Sequence, residues 1–188
     1  MHILLTRPIE DCNEMILKFQ SLGHKVSHLP LISIKSMKHE SIKYSNFKGI
    51  IFTSANAIKF LDLKDIDKNI NCFCVGSATE KKAKSVGFQN IFVADGNVNN
   101  LKEIILSNFD SSFGKLLYVT GEVISKNLDQ SLISEGYTIK RIINYKVNPN
   151  EKFDNNFIEK QLKSMRAEYK KLDRDEIISL TAKELAND

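Results

Sequence analysis

A parallel α/β architecture is predicted by three features of this sequence. Short apolar runs alternate with segments of helical spacing, glycines stand where the helical segments stop, and small hydroxyl residues or glycines follow the apolar runs. The chain has 188 residues, 42% of them hydrophobic and 27% charged, which is a globular balance rather than a disordered one.

Taken in order, His2 to Thr6 reads as a strand. Cys12, Met15, Ile16, Phe19 and Leu22 then mark a helix closed by Gly23. A second strand spans Lys25 to Ile34, with Pro30 signalling an edge or a bend. Lys35 to Lys48 is polar and without a sustained period, as expected of a crossover between two lobes. Gly49 to Thr53 is a buried strand, and Ser54 is placed to cap a helix carrying Ala57, Ile58 and Leu61. Cys72 to Val75 repeats the strand, with a helix through Val86 stopped by Gly87. Asn90 to Val93 is the next short strand, and Asn99 or Asn100 is expected to cap the helix of Leu101, Ile104 and Ile105. Lys115 to Val119 is a strand, Val123 to Ser134 a helix ended by Gly136, and Thr138 to Val147 the closing strand. Five strands between Gly49 and Val147 suffice for a complete small sheet with helices on both faces, whereas the first 34 residues supply only β-α-β and need a partner. After Val147 the pattern turns helical and densely charged, with helices expected over Asn155 to Lys171 and from Asp173 or Asp175 onward.

Composition excludes several classes of function. No apolar run approaches the roughly 18 residues of a membrane span, and Ile3-Leu4-Leu5 is too short to be the core of a signal peptide, so a cytoplasmic protein is expected. Cys12, Cys72 and Cys74 are then expected to be free thiols. The net charge of +4 is spread along the chain, and Lys81-Lys82-Ala83-Lys84 reads as a solvated helix face, so nucleic acid is not an expected partner. Neither a G-x-G-x-x-G after a strand nor a G-x-x-x-x-G-K-[ST] occurs. Cys72 and Cys74 are read as facing opposite sides of their strand and so as poor partners for a metal. His24 and His28 have no ligand-spaced companions, and Glu10-Asp11 suits a helix start better than acid catalysis.

The strand-to-helix turns are the candidate binding positions, because they present backbone N–H groups and the positive ends of helix dipoles. They are Thr6-Arg7-Pro8, Thr53-Ser54-Ala55-Asn56, Gly76-Ser77-Ala78-Thr79 and Thr120-Gly121-Glu122. Such turns suit carboxylates or phosphates, and each is equally compatible with ordinary helix capping. Tyr145, near the carboxyl end of the last strand, is compatible with a proton donor or with a half-buried strand residue.

Read together, these stretches resemble uroporphyrinogen-III synthase. The resemblance is carried by Ile3-Leu4-Leu5-Thr6-Arg7-Pro8, by Gly23-His24-Lys25-Val26 leading to Leu29-Pro30-Leu31-Ile32, and by Ile50-Ile51-Phe52-Thr53-Ser54-Ala55-Asn56-Ala57. It continues through Val75-Gly76-Ser77-Ala78-Thr79 with Gly87, and Leu116-Leu117-Tyr118-Val119-Thr120-Gly121 with Gly136 before Tyr145. It spans about residues 1–149, and the residues after Pro149 lack the serine-bearing and glycine-threonine turns expected of the family.

The resemblance implies two flavodoxin-like α/β lobes. Residues 1–34 with 147–188 would form a discontinuous, incomplete first lobe and 35–146 the second. It implies a lyase that closes the linear tetrapyrrole hydroxymethylbilane to uroporphyrinogen III, with inversion of ring D, loss of water and no cofactor. By the same resemblance Tyr145 assists departure of the hydroxyl. Thr6, Arg7, Thr53, Ser54, Asn56, Gly76, Ser77, Ala78, Thr79, Thr120 and Gly121 are expected to bind substrate, and a monomer is expected. The alternative reading is a truncated or diverged α/β module without catalysis, binding an anionic ligand or a protein partner.

Overall fold

The computed structural model describes residues 1–150, 156, 158–160, 162 and 163. The chain divides into two compact units, Met1–Ser33 with Asn148–Asp188, and Ile34–Val147. Of the helices expected after Asn155, Asn156, Ile158, Glu159, Lys160, Leu162 and Lys163 are helical. The remainder of those expected segments lies outside the described residues.

In the first unit β1 (His2–Leu5) pairs in parallel with β2 (Lys25–His28), His2 opposite Lys25 and Leu5 opposite His28. Helix α1 (Ile9–Ser21) crosses between them. Pro8 fixes its start, Glu10 and Asp11 complement the dipole in its first turn, and the chain leaves through Gly23. Cys12 is its buried residue, whereas Met15 and Leu22, expected on the same apolar face, are exposed. The single strand expected over Lys25 to Ile34 is two, with β3 at Ile32–Ser36. Pro30 lies between them, where its ring and missing N–H interrupt the ladder.

The second unit is built on a six-stranded sheet in the order β3-β8-β7-β4-β5-β6. Its strands are β4 (Phe47–Phe52), β5 (Asn71–Val75), β6 (Ile91–Ala94), β7 (Lys115–Gly121) and β8 (Ile139–Pro149). The β4–β5, β4–β7, β5–β6 and β7–β8 pairs are all parallel. Helices α2 (Ala55–Lys59) and α3 (Ser77–Ser85) contribute to a core with Ile50, Phe52, Cys72, Cys74, Leu117 and Val119. On the opposite parity Ile51, Phe73, Leu116 and Tyr118 pack with α4 (Val98–Asn108) and α5 (Leu128–Ile133). Burial on both faces explains why these strands are continuous apolar runs rather than alternating ones. The architecture is the parallel α/β class that the sequence predicts.

Three local expectations are corrected. Residues two apart in a strand share a face, so Cys72 and Cys74 point the same way, their sulfurs 3.7 Å apart. Both thiols are buried and free, and the Cys74 thiol, then burial, push the Cys72 thiol above its ordinary range. Helix α4 is capped by Asn97 rather than Asn99 or Asn100. Asn97 takes an extended conformation after Gly96 and accepts from the N–H groups of Asn99 and Asn100. Helix α5 begins at Leu128, five residues later than expected, because Val123, Ile124 and Ser125 are poor helix formers. Among the described residues no helix is long and apolar enough to cross a membrane. No group of three or more His, Cys, Asp or Glu is gathered among them for a metal.

Candidate functional site

From β4 the chain runs outward through β5 and β6, then returns to the other side of β4 to lay down β7 and β8. The loops leaving β4 and β7 therefore diverge, and a crevice opens at the carboxyl ends of these strands. A pocket of about 340 Å³ occupies this place. Thr53 and Ser54 line it from the β4–α2 turn, Gly96, Asn97 and Val98 from the start of α4, and Tyr118 and Gly121 from β7. Val123 to Lys126, from the loop ahead of α5, and Tyr145, from β8, complete it with Val75. A hollow of about 450 Å³ at the amino ends of β4 and β5 is larger. Asp65 and Asp67 line it beside Lys48, so two acids face one base in its wall, and it lies at the end of the sheet opposite to the crevice.

Tyr145 is placed by a bulge in β8. Thr120 pairs with Ile143 but Gly121 pairs with Tyr145, leaving Asn144 as the extra residue. The Asn144 side chain is fully buried and its Nδ2 donates to the carbonyl of Ala57, 2.7 Å away, tying the bulge to α2. The Tyr145 ring then lies over Gly121, where a Cβ would stand 2.7 Å from its Cε2 and Cζ atoms. On its other side the ring meets Phe60, centroids 6.4 Å apart. These contacts fix the ring while leaving it half-buried at the pocket wall.

Beneath it, Tyr118 is 1% exposed, and burial raises the pKa of its phenol. A hydrogen bond to the Thr53 side chain and the nearby Arg141 act in the opposite sense. Arg141 donates from Nε to the Thr120 hydroxyl at 3.1 Å, and its guanidinium lies 3.9 Å from the Asp129 carboxylate.

Of the residues expected to bind substrate, the pocket brings together Thr53, Ser54 and Gly121, with Tyr145. Ser54 caps α2, accepting from the Asn56 N–H at 3.2 Å. Thr120 is buried and its hydroxyl donates to the Ile142 carbonyl. Thr79 is buried on α3, while Gly76, in a left-handed conformation, leads to exposed Ser77 and Ala78. Asn56 and the Gly76–Thr79 turn are not among the pocket's walls. Thr6 and Arg7 belong to the other unit. There the Thr6 carbonyl accepts from the Leu31 N–H, and the Arg7 carbonyl accepts from His28 Nε2.

Sequence reasoning missed Asn97, Tyr118 and Lys126. The Gly96-Asn97 pair was the available signal for Asn97, a turn glycine followed by a capping residue. Nothing local distinguishes Tyr118 from its apolar neighbours in β7. Lys126 was obscured by the helix expected from Val123.

The family model described as uroporphyrinogen-III synthase HemD matches residues 13–187. The match thus includes the C-terminal stretch that the sequence reading set apart. No curated protein matches the chain in sequence. Among solved structures, uroporphyrinogen-III synthetase from Helicobacter pylori 26695 is similar at 19% identity and a TM-score of 0.55, covering 81% of this chain and 63% of its own. A mutant uroporphyrinogen III synthase from the extremely thermophilic bacterium Thermus thermophilus is similar at 13% identity and a TM-score of 0.49, covering 80% and 64%. This chain therefore spans less than two thirds of the length of either structure. The fold is similar to that of the first of these, and by the family match the chain belongs to the uroporphyrinogen-III synthase family.

Proposed function

We propose that this protein is a lyase that cyclises hydroxymethylbilane to uroporphyrinogen III, inverting ring D and releasing water. The observation that carries the reading is Tyr145, held over Gly121 at the wall of the switch-point pocket in a chain of this family. In this reading residues 35–146 are the lobe bearing the pocket, and 1–34 with 147–188 are the other. Thr6 and Arg7 stand there as further binding candidates, as Asn56, Gly76, Ser77, Ala78, Thr79 and Thr120 do around the sheet's carboxyl edge. The protein is read as a cytoplasmic monomer acting on a small molecule, without nucleic acid or cofactor.

The chemistry asks little of the protein beyond placement. The Tyr145 phenol donates its proton to the hydroxyl of the substrate, which leaves as water and yields a phenolate and an electrophilic azafulvenium cation. The substituted carbon of ring D attacks that electrophile, and after rearrangement and closure a proton is lost, which restores the phenol. Free in solution the bilane closes to the uninverted isomer. The site must therefore hold the folded conformation in which the substituted carbon is nearer, an orientation effect. Thr53, Ser54 and Asn97 bring polar side chains to the pocket wall that suit the substrate's carboxylate arms.

The test is to supply freshly made hydroxymethylbilane to the folded protein and resolve the type I and type III isomers after oxidation. Type III in excess of the protein-free reaction supports the synthase. Type I alone overturns it and favours a module that retains the fold and binds an anion.

A further inference from the structure

We propose that the switch-point pocket is a single-ring subsite in which Lys126 anchors a carboxylate arm of one pyrrole unit. The inference deepens the tetrapyrrole reading and rests on it for the identity of the ring.

At about 340 Å³ the pocket is near the lower end of small-ligand clefts, roughly 300–1,000 Å³. It is too small for a whole tetrapyrrole with all its carboxylate arms and of a size for one substituted ring. Its walls are divided by chemistry. Val75, Val98, Val123, Ile124 and the two tyrosines offer apolar surface to a ring face, whereas Thr53 and Ser54 on one side and Asn97, Ser125 and Lys126 on another supply polar groups. Lys126 is the one charged side chain among the described lining residues.

What distinguishes Lys126 is its place in the pocket wall combined with an uncharged partner; Lys68, which donates to the Leu63 carbonyl, has such a partner but does not line this pocket. Lys84, Lys102 and Lys140 are each neutralised by a glutamate. Lys126 instead donates to the Asn99 side-chain oxygen at 3.1 Å, a neutral acceptor on α4 that orients the ammonium without cancelling its charge. A positive charge with donors to spare, at the rim of an apolar ring-sized hollow, matches an aromatic ring carrying a short carboxylate arm.

The experiment is a calorimetric titration of the full chain with porphobilinogen, a monopyrrole with one acetate and one propionate arm. It is run alongside steady-state cyclisation of hydroxymethylbilane, for the wild type, Lys126→Met and Lys126→Arg. Loss of one partly exposed charge-assisted contact should weaken porphobilinogen binding about tenfold and raise KM by a similar factor, with kcat and the type III fraction little changed. Lys126→Arg should restore both values. The inference is overturned if wild type does not bind porphobilinogen, or if Lys126→Met leaves both binding and KM unchanged. It is likewise overturned if inorganic phosphate competes with porphobilinogen at equal affinity, which would make the pocket an anion site without ring recognition. Binding that depends on Lys126 in a wild-type protein that forms no type III isomer would retain the subsite and reject the cyclisation reading, so the two failures are separable.

Discussion

Gly121 and Tyr145 are register partners across β7 and β8, and the tyrosine ring occupies the space that any larger residue at 121 would need. A Cβ at Gly121 would meet Cε2 and Cζ of the ring at 2.7 Å and the phenol oxygen at 3.0 Å. The glycine therefore sets how deeply the phenol sits in the pocket wall. Gly121→Ala should displace the ring rather than unfold the protein, since the clashing atoms are the far end of a side chain. The expected stability loss is about 1 kcal/mol, the low end for overpacking. Type III formation should fall much further. In the Tyr145→Ala background, Gly121→Ala should be nearly neutral in denaturant melts, the coupling expected of direct contact.

Tyr145→Phe removes the phenol and keeps the ring's contacts with Gly121 and Phe60. Melting should be unchanged within a few degrees, while the rate of type III formation drops about 10²-fold, as for loss of a general acid. An unchanged rate would remove Tyr145 as the donor.

Asn144 holds the bulge that registers Tyr145. Its fully buried Nδ2 bonds the Ala57 carbonyl, whereas its Oδ1 has no partner among the described residues. A half-satisfied amide contributes less than a fully bonded one, so Asn144→Ala should cost about 1–2 kcal/mol by urea denaturation. If the bulge positions the catalytic ring, type III formation should fall beyond what the lost stability explains. A purely structural Asn144 would show the stability loss alone.

Tyr44 donates to the Asp62 carbonyl, and its pKa is pushed up to about 12 by burial, with Asp62 and Asp65 adding to the effect. An unfolded tyrosine ionises near 10. Between these values the unfolded chain releases a proton that the folded one retains, so stability is fully present below about pH 10 and is lost as the pH rises toward 12. Burial raises Tyr118 and Tyr137 in the same direction. The melting temperature should fall across that window, and Tyr44→Phe should make the fall shallower.

The strands of the second unit were legible because they are buried on both faces and read as apolar runs bounded by Gly, Ser and Thr. Ser54 could be identified as a cap because serine before an apolar-spaced segment has few other uses. The start of α5 was misplaced because Val123 and Ile124 extend the hydrophobic spacing into what is a loop, and spacing alone does not weigh β-branching. The shared face of Cys72 and Cys74 follows from the two-residue period of a strand, a signal fully present in the sequence. The pocket was partly legible. Tyr145, Thr53, Ser54 and Gly121 follow from the rule that strand carboxyl ends carry ligands. Lys126 and Tyr118 depend on tertiary placement, where a loop folds over and a strand residue reaches the crevice floor, and neither leaves a local mark.

In the proposed reading a tetrapyrrole binds at the carboxyl ends of β4 and β7. The most direct measurement is an amide NMR titration of the isotope-labelled chain with uroporphyrin III. Saturable shift changes should be concentrated at Thr53–Asn56, Gly96–Asn99 and Gly121–Lys126, with Lys126→Met weakening the response. Shifts confined to other surfaces, or none up to the solubility limit of the ligand, would contradict it.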